Sequence, residues 1–206
     1  MKKEVVIIGY SCHAFVVCDI FISMGWQISG YCDIEKKKLN PYHLRYLGKE
    51  SDAKVLSILK NTFSFIAIGD NKLRESIFGF LQKNKCTIAN AVHPSAIISS
   101  QSKIGSGIMI APNVVINSSS ILEDGVICNT TSVIEHGCII NKFAHVAPGS
   151  VLCGNVKLGA RTLLGANSVV KPGVEIGSDV IVGIGTTVIK NIKSGKTVAG
   201  NLQREL

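Results

Sequence analysis

From Ile98 to Val188 an apolar residue returns at every sixth position: Ile98, Ile104, Ile110, Ile116, Leu122, Cys128, Ile134, Ile140, Val146, Leu152, Leu158, Leu164, Val170, Ile176, Val182 and Val188. The residue two places before each is small or β-branched, running from Ala96 through Ser132, Cys138 and Ser150 to Thr186. Glycine often follows the apolar position, as at Gly105, Gly159, Gly165, Gly177 and Gly183. Chance does not hold such a register over this length. A six-residue period of this kind is the signature of a parallel β-helix, in which each apolar side chain points into a narrow prism and the small residue packs beside it. The composition agrees: 46% of the residues are hydrophobic but only 6% are aromatic, and 20 are glycine, which suits thin repeated layers better than one bulky core.

The first 90 residues follow another rule. "VVIIG" (5–9), "QISGYCD" (27–33) and "FSFIAIGDN" (63–71) read as buried strands closed by glycine or polar residues. "AFVVCDIFISMGW" (14–26) and "KLRESIFGFLQKN" (72–84) have helical spacing. Strands alternating with helices predict a small parallel sheet whose ligands bind at the strands' carboxyl ends. The turn "GYSCHA" (9–14) departs from a dinucleotide fingerprint, with Ser11 and Ala14 where glycines would stand. It still suits a phosphate or a base near a helix start. The expected organisation is a Rossmann-like α/β domain over 1–90 and a β-helix over 91–206.

Two of the five histidines, His136 and His145, fall nine residues apart inside the repeat, where packing favours neither. Histidine is suited to proton transfer because its ordinary pKa of about 6.5 lies near neutrality. The seven cysteines show no CxxC spacing and no signal peptide precedes them, which predicts free thiols in a reducing cytoplasm. Cys128, Cys138 and Cys153 occupy positions that call for small side chains. A net charge of +8 without an arginine-rich segment, an aromatic ladder or zinc spacing points to small polyanions such as coenzyme A or a sugar nucleotide, not to nucleic acid. Lys36, Lys37 and Lys38 read as a solvated loop. No apolar run reaches the roughly 18 residues a membrane span needs. A zinc enzyme would need a third histidine on the repeat, and none follows His93.

Four stretches, "VHPSAIIS" (92–99), "NTTSVIEHGCII" (129–140), "HVAPGSVLCGNVKLG" (145–159) and "LGANSVV" (164–170), together with "GYSCHA" and "IAIGDN" (66–71), resemble the NeuD/PglD-type sugar acetyltransferases. The resemblance implies a left-handed β-helix with 18 residues per turn. Residues 18 apart would then stack, placing Ser118, His136, Gly154 and Pro172 in one column and Pro148, Ala166 and Ile184 in another. It implies acetyl-CoA-dependent N-acetylation of a nucleotide-linked amino sugar, such as a UDP-4-amino-4,6-dideoxy sugar, in bacterial surface glycan synthesis, and a homotrimer with sites between subunits. The alternatives are O-acetylation of a sugar hydroxyl, as in sialic acid, and a catalytically silent binding homologue. Carried over residue by residue, His136 is the catalytic base and His145 lies where acetyl-CoA binds. Gly154, over His136, would leave room for the donor and an exposed N–H, and Ala166 and Ile184 would line its pantetheine arm. Ser11, Cys12, His13, Asp33 and Gly69 would hold the sugar nucleotide, and no metal is expected. Two departures stand out: Gly137 replaces the acid that usually follows the base, and the C-terminal "VAGNLQREL" lacks a Gly-x-Pro-Ala pattern.

Overall fold

Val5, Val6, Ile7 and Ile8 are at most 1% exposed because they form the middle strand of a sheet covered on both faces. In this computed structural model, which describes residues 3–201, 204 and 205, the chain divides into two compact units, Met1–Pro94 and Ser95–Leu206. Leu202, Gln203 and Leu206 of the C-terminal stretch lie outside the described residues.

The first unit runs β1 (Glu4–Ile8), α1 (Cys12–Ser23), β2 (Gln27–Cys32), β3 (Tyr46–Gly48), α2 (Ala53–Leu59), β4 (Phe63–Ile66), α3 (Asn71–Lys83) and β5 (Thr87–Ile88). The sheet order is β3-β2-β1-β4-β5, all parallel. The chain order reverses beside β1, between β1 and β4, and open parallel sheets bind ligands at the carboxyl ends of strands at such a switch point. The loops after β1 and β4 meet closely there. Gly9 has φ +81° and faces the Ile68 side chain where a Cβ would stand, so only glycine fits.

The second unit winds as a left-handed β-helix of two-residue strands. Val115 pairs with Val133, Val133 with Val151 and Val151 with Val169, a shift of 18 residues per coil. One face carries the strands Val115–Ile116, Val133–Ile134, Val151–Leu152 and Val169–Val170. A second carries Ile121–Leu122, Ile139–Ile140 and Lys157–Leu158. A third carries Ile127–Cys128, His145–Val146, Leu163–Leu164 and Ile181–Val182. From Ile110 to Val188, every inward position of the six-residue pattern is at most 3% exposed. The glycines that follow these positions provide space: a Cβ on Gly165 would lie 2.5 Å from the Val182 carbonyl of the next coil. No helix among the described residues is long and apolar enough to cross a membrane.

The small inward positions carry a second layer of bonding. The hydroxyls of Ser120, Ser150, Thr162 and Ser168 donate to the carbonyls of Glu135, Gly165, Gly177 and Gly183 at 2.6–3.0 Å, and the Cys138 thiol reaches the Cys153 carbonyl at 3.3 Å. Burial pushes that thiol up to about 11, which suits a packing role. Ser132 has the same place in the repeat and is fully buried, but its hydroxyl finds no partner among the described residues. A satisfied buried hydrogen bond contributes about 1 kcal/mol, whereas a buried unsatisfied hydroxyl is a cost. Ser150→Ala should therefore lower stability by about 1 kcal/mol, and Ser132→Ala should leave it unchanged or raise it. Urea denaturation midpoints of the two variants check this, and equal losses would contradict it.

Candidate active site

His136 sits at the corner between the Val133–Ile134 and Ile139–Ile140 strands. The Asn155 N–H donates to the His136 carbonyl at 2.8 Å, the Gly137 N–H to the Ser118 carbonyl at 3.0 Å and the Gly173 N–H to the Gly154 carbonyl at 3.0 Å. The expected column from Ser118 to Pro172 is thus held coil to coil. Gly154 is buried directly against the imidazole: an added Cβ would lie 2.5 Å from Cε1 and 2.6 Å from Nε2. The room left by the missing side chain is taken by the histidine ring itself.

The carboxylates near His136 are committed elsewhere. Asn117 Nδ2 donates to Glu135 Oε2 at 2.9 Å. Glu123 and Asp124 serve the next corner, where Glu123 accepts from the Lys142 N–H at 3.1 Å and Asp124 from the Ser106 N–H at 3.0 Å. Among the described residues the His136 ring makes no hydrogen bond. Gly137, with φ +69°, occupies a left-handed corner, and the Oδ1 of Asn155 fills the place where its Cβ would be.

His145 lies on the third face, paired between Ile127 and Leu163, with Asn129 Nδ2 and its Nε2 at 3.2 Å. A corner and the face opposite it do not meet, so one chain does not bring His136 and His145 together. Ala166 and Ile184 stack at the corner between the third and first faces, joined through the Gly185 N–H to the Ala166 carbonyl at 2.8 Å. Ile184 is 81% exposed, a large apolar side chain left in water.

In the first unit, Ser11 is the N-cap of α1 but makes no side-chain cap bond, and Cys12 is exposed. Asp33 is fully engaged: Oδ2 accepts from the Tyr10 N–H at 2.8 Å, while Oδ1 accepts from the Ile34 N–H at 2.7 Å and pairs with Lys37 Nζ at 3.1 Å. It braces the turn after β1 from the end of β2, and Lys37 is its partner rather than a free solvated charge. Gly69 lies in the open loop after β4. Burial, and then the Arg74 charge, hold the His13 imidazole below its usual pKa. Arg74 went unnoticed in the sequence, although it falls on the buried stripe of α3 with Ile77, Phe78 and Leu81. Burial brings its own pKa down to about 10. Among the described residues no three His, Cys, Asp or Glu side chains form a metal-binding group.

Residues 4–81 match the PglD N-terminal domain, and residues 155–190 match the bacterial transferase hexapeptide (six repeats). The chain is 30% identical over 154 residues to GDP-perosamine N-acetyltransferase of Escherichia coli O157:H7, covering 72% of this chain and 69% of that protein. A match to YvoF of Bacillus subtilis strain 168 is 41% identical over 51 residues and spans 25% of this chain and 30% of that protein. A histidine-to-asparagine variant of perosamine N-acetyltransferase from Caulobacter crescentus, solved with CoA and GDP-perosamine, superposes with a TM-score of 0.93 at 31% identity, covering 99% of this chain and 97% of that one. The acetyltransferase domain of PglB from Neisseria gonorrhoeae FA1090, solved with acetyl coenzyme A, gives 0.93 at 27% identity with full coverage of both chains.

The contact between Gly154 and His136 yields a sharp expectation. Gly154→Ala must displace the imidazole, because the methyl group and the ring claim one space. If His136 serves in catalysis, turnover should fall about tenfold or more, since a misplaced catalytic group loses rate steeply, while acetyl-CoA affinity and the melting temperature change little. Steady-state kinetics beside calorimetric acetyl-CoA binding test this, and unchanged turnover would contradict it.

Proposed function

The chain belongs to the NeuD/PglD-type sugar acetyltransferases, and from that membership we infer that it transfers the acetyl group of acetyl-CoA to the amino group of a nucleotide-linked amino sugar. The observation that carries this reading is His136 seated under Gly154, in a chain similar over nearly its full length to an enzyme solved with CoA and GDP-perosamine. In this reading the N-terminal unit holds the sugar nucleotide through Ser11, Cys12, His13 and Gly69, with Asp33 fixing the turn. The β-helix carries the chemistry. His136 takes a proton from the sugar amine as its nitrogen forms a bond to the thioester carbonyl carbon. The C–S bond then breaks, and the proton passes to the departing CoA thiolate. Ala166 and Ile184 offer the donor arm an apolar rail, and His145 contacts the donor.

The separation of His136 and His145 within one chain supports a site completed by a neighbouring copy, and a homotrimer is the assembly proposed. The seven free cysteines support a reducing cytoplasm as its compartment.

His136→Ala should lose about a hundredfold or more in turnover, the scale of general-base removal, while retaining acetyl-CoA binding. Thiol release measured across nucleotide-linked amino sugars and hydroxy sugars reads out both the loss and the acceptor. Turnover only on hydroxyl acceptors would favour O-acetylation, and a fully active variant would remove His136 from the mechanism.

Subunit sharing has its own test. If His136 and His145 of one site come from different chains, co-refolding equal amounts of inactive His136→Ala and His145→Ala chains should restore about a quarter of wild-type activity, half times half of the sites being intact. No recovery in mixed oligomers would place both histidines' roles within single chains.

A further inference from the structure

Helix α3 turns its arginine inward. Arg74 shares the buried face with Ile77, Phe78 and Leu81 and is only 1% exposed. Taking a guanidinium out of water costs several kcal/mol before its partners offset it, and an apolar side chain would fill the same volume at less cost. Three of its hydrogen bonds reach residues 68–71, at the start of the helix. Nη1 donates to the carbonyls of Ile68 and Gly69, both at 3.0 Å, and Nη2 donates to Asn71 Oδ1 at 2.8 Å.

This has a consequence for the peptide planes. In a trans peptide the carbonyl and the following N–H point in opposite directions, and no cis bond occurs here. With the Ile68 and Gly69 carbonyls drawn inward, the N–H groups of Gly69 and Asp70 face away from Arg74. Neither finds an acceptor among the described residues. A Cβ on Gly69 would meet nothing within 4 Å, so the space before the loop is open. Two successive free N–H groups form a receptor for oxygen acceptors, and donation from the guanidinium to their carbonyls polarises them further. Ile68, packed against Gly9, keeps the loop beside the turn after β1.

We propose that Arg74 is a positioning residue for the acceptor substrate: it holds the Gly69 and Asp70 N–H groups outward to receive oxygen atoms of the nucleotide moiety. This rests on the N-terminal unit being the sugar-nucleotide site. Arg74 does not touch the substrate, and its effect is confined to nucleotide affinity.

Calorimetric titration of the full chain with UDP and with GDP, with acetyl-CoA as reference, tests the proposal. Arg74→Met should weaken the nucleotide that the wild type binds by about tenfold or more, the scale of a lost charge-assisted hydrogen bond, and leave acetyl-CoA affinity unchanged. Arg74→Lys should recover part of the loss, because an ammonium reaches one carbonyl but not all three acceptors. Asn71→Ala, which removes one acceptor, should give a smaller loss in the same direction. If Arg74→Met does not fold, the other two variants carry the test. Folded variants binding the nucleotide within about twofold of the wild type, or losing acetyl-CoA affinity to the same extent, overturn the role of Arg74. Gly69→Trp separates this from the parent reading, because it blocks the open space in front of the loop. Loss of nucleotide binding in Gly69→Trp without loss in the Arg74 variants sinks only the arginine. Full binding in Gly69→Trp, or a wild type that takes neither UDP nor GDP, sinks the nucleotide site itself.

Discussion

The hydrogen-bond ladder between coils governs the second unit. The Val133 N–H donates to the Ser150 carbonyl, and the Val151 N–H to the Ser168 carbonyl, both at 2.9 Å, so each coil is locked to the next at a shift of 18 residues. Neighbouring strands in such a ladder lie about 4.8 Å apart. Every side chain is therefore assigned to a face or a corner by its position within the repeat, and it touches chiefly the residues 18 before and after it. Gly154 accommodates the His136 ring for this reason, and the charged pairs Lys157–Glu175 and Arg161–Asp179 form for the same reason.

Much of this could be read from the sequence because the ladder is regular. The six-residue period named the inward positions, and the 18-residue coil implied by the family resemblance named the column of His136. The same arithmetic contains the answer to the paired histidines. Nine residues are half of 18, so His136 and His145 stand on opposite sides of the prism. A corner and the face across from it do not meet within one chain, and this separation is what the proposed sharing of a site between copies builds on.

The first unit was legible only in outline. Its strand–helix alternation predicted the parallel sheet, since hydrophobic pattern and chain order fix it. The engagement of individual polar groups has no period to reveal it. Asp33 braces the Tyr10 N–H 23 residues away, a contact set by how β1 and β2 pair. Arg74 was hidden for a related reason: helical spacing marks which face is buried, but not which loop a charge on that face will hold. An arginine on an apolar stripe was the available signal.

The corners show one more regularity, and it bears on the glycine that follows His136. At three glycine corners the side chain one coil above leans into the vacant volume: Phe143 over Gly125, Asn155 over Gly137 and Asn167 over Gly149, whereas the space at Gly173 and Gly185 stays open. His136 leans the other way, upward against Gly154. The dipeptides His136–Gly137 and Gly154–Asn155 thus interlock, each supplying the side chain where the other has none. A carboxylate at position 137 would claim the volume that the Asn155 amide already occupies. The glycine and the asparagine therefore form one packing unit, and the absence of the usual acid is coupled to the identity of the residue above it. The oxygen that this corner offers beside the His136 segment is therefore a neutral amide rather than a carboxylate.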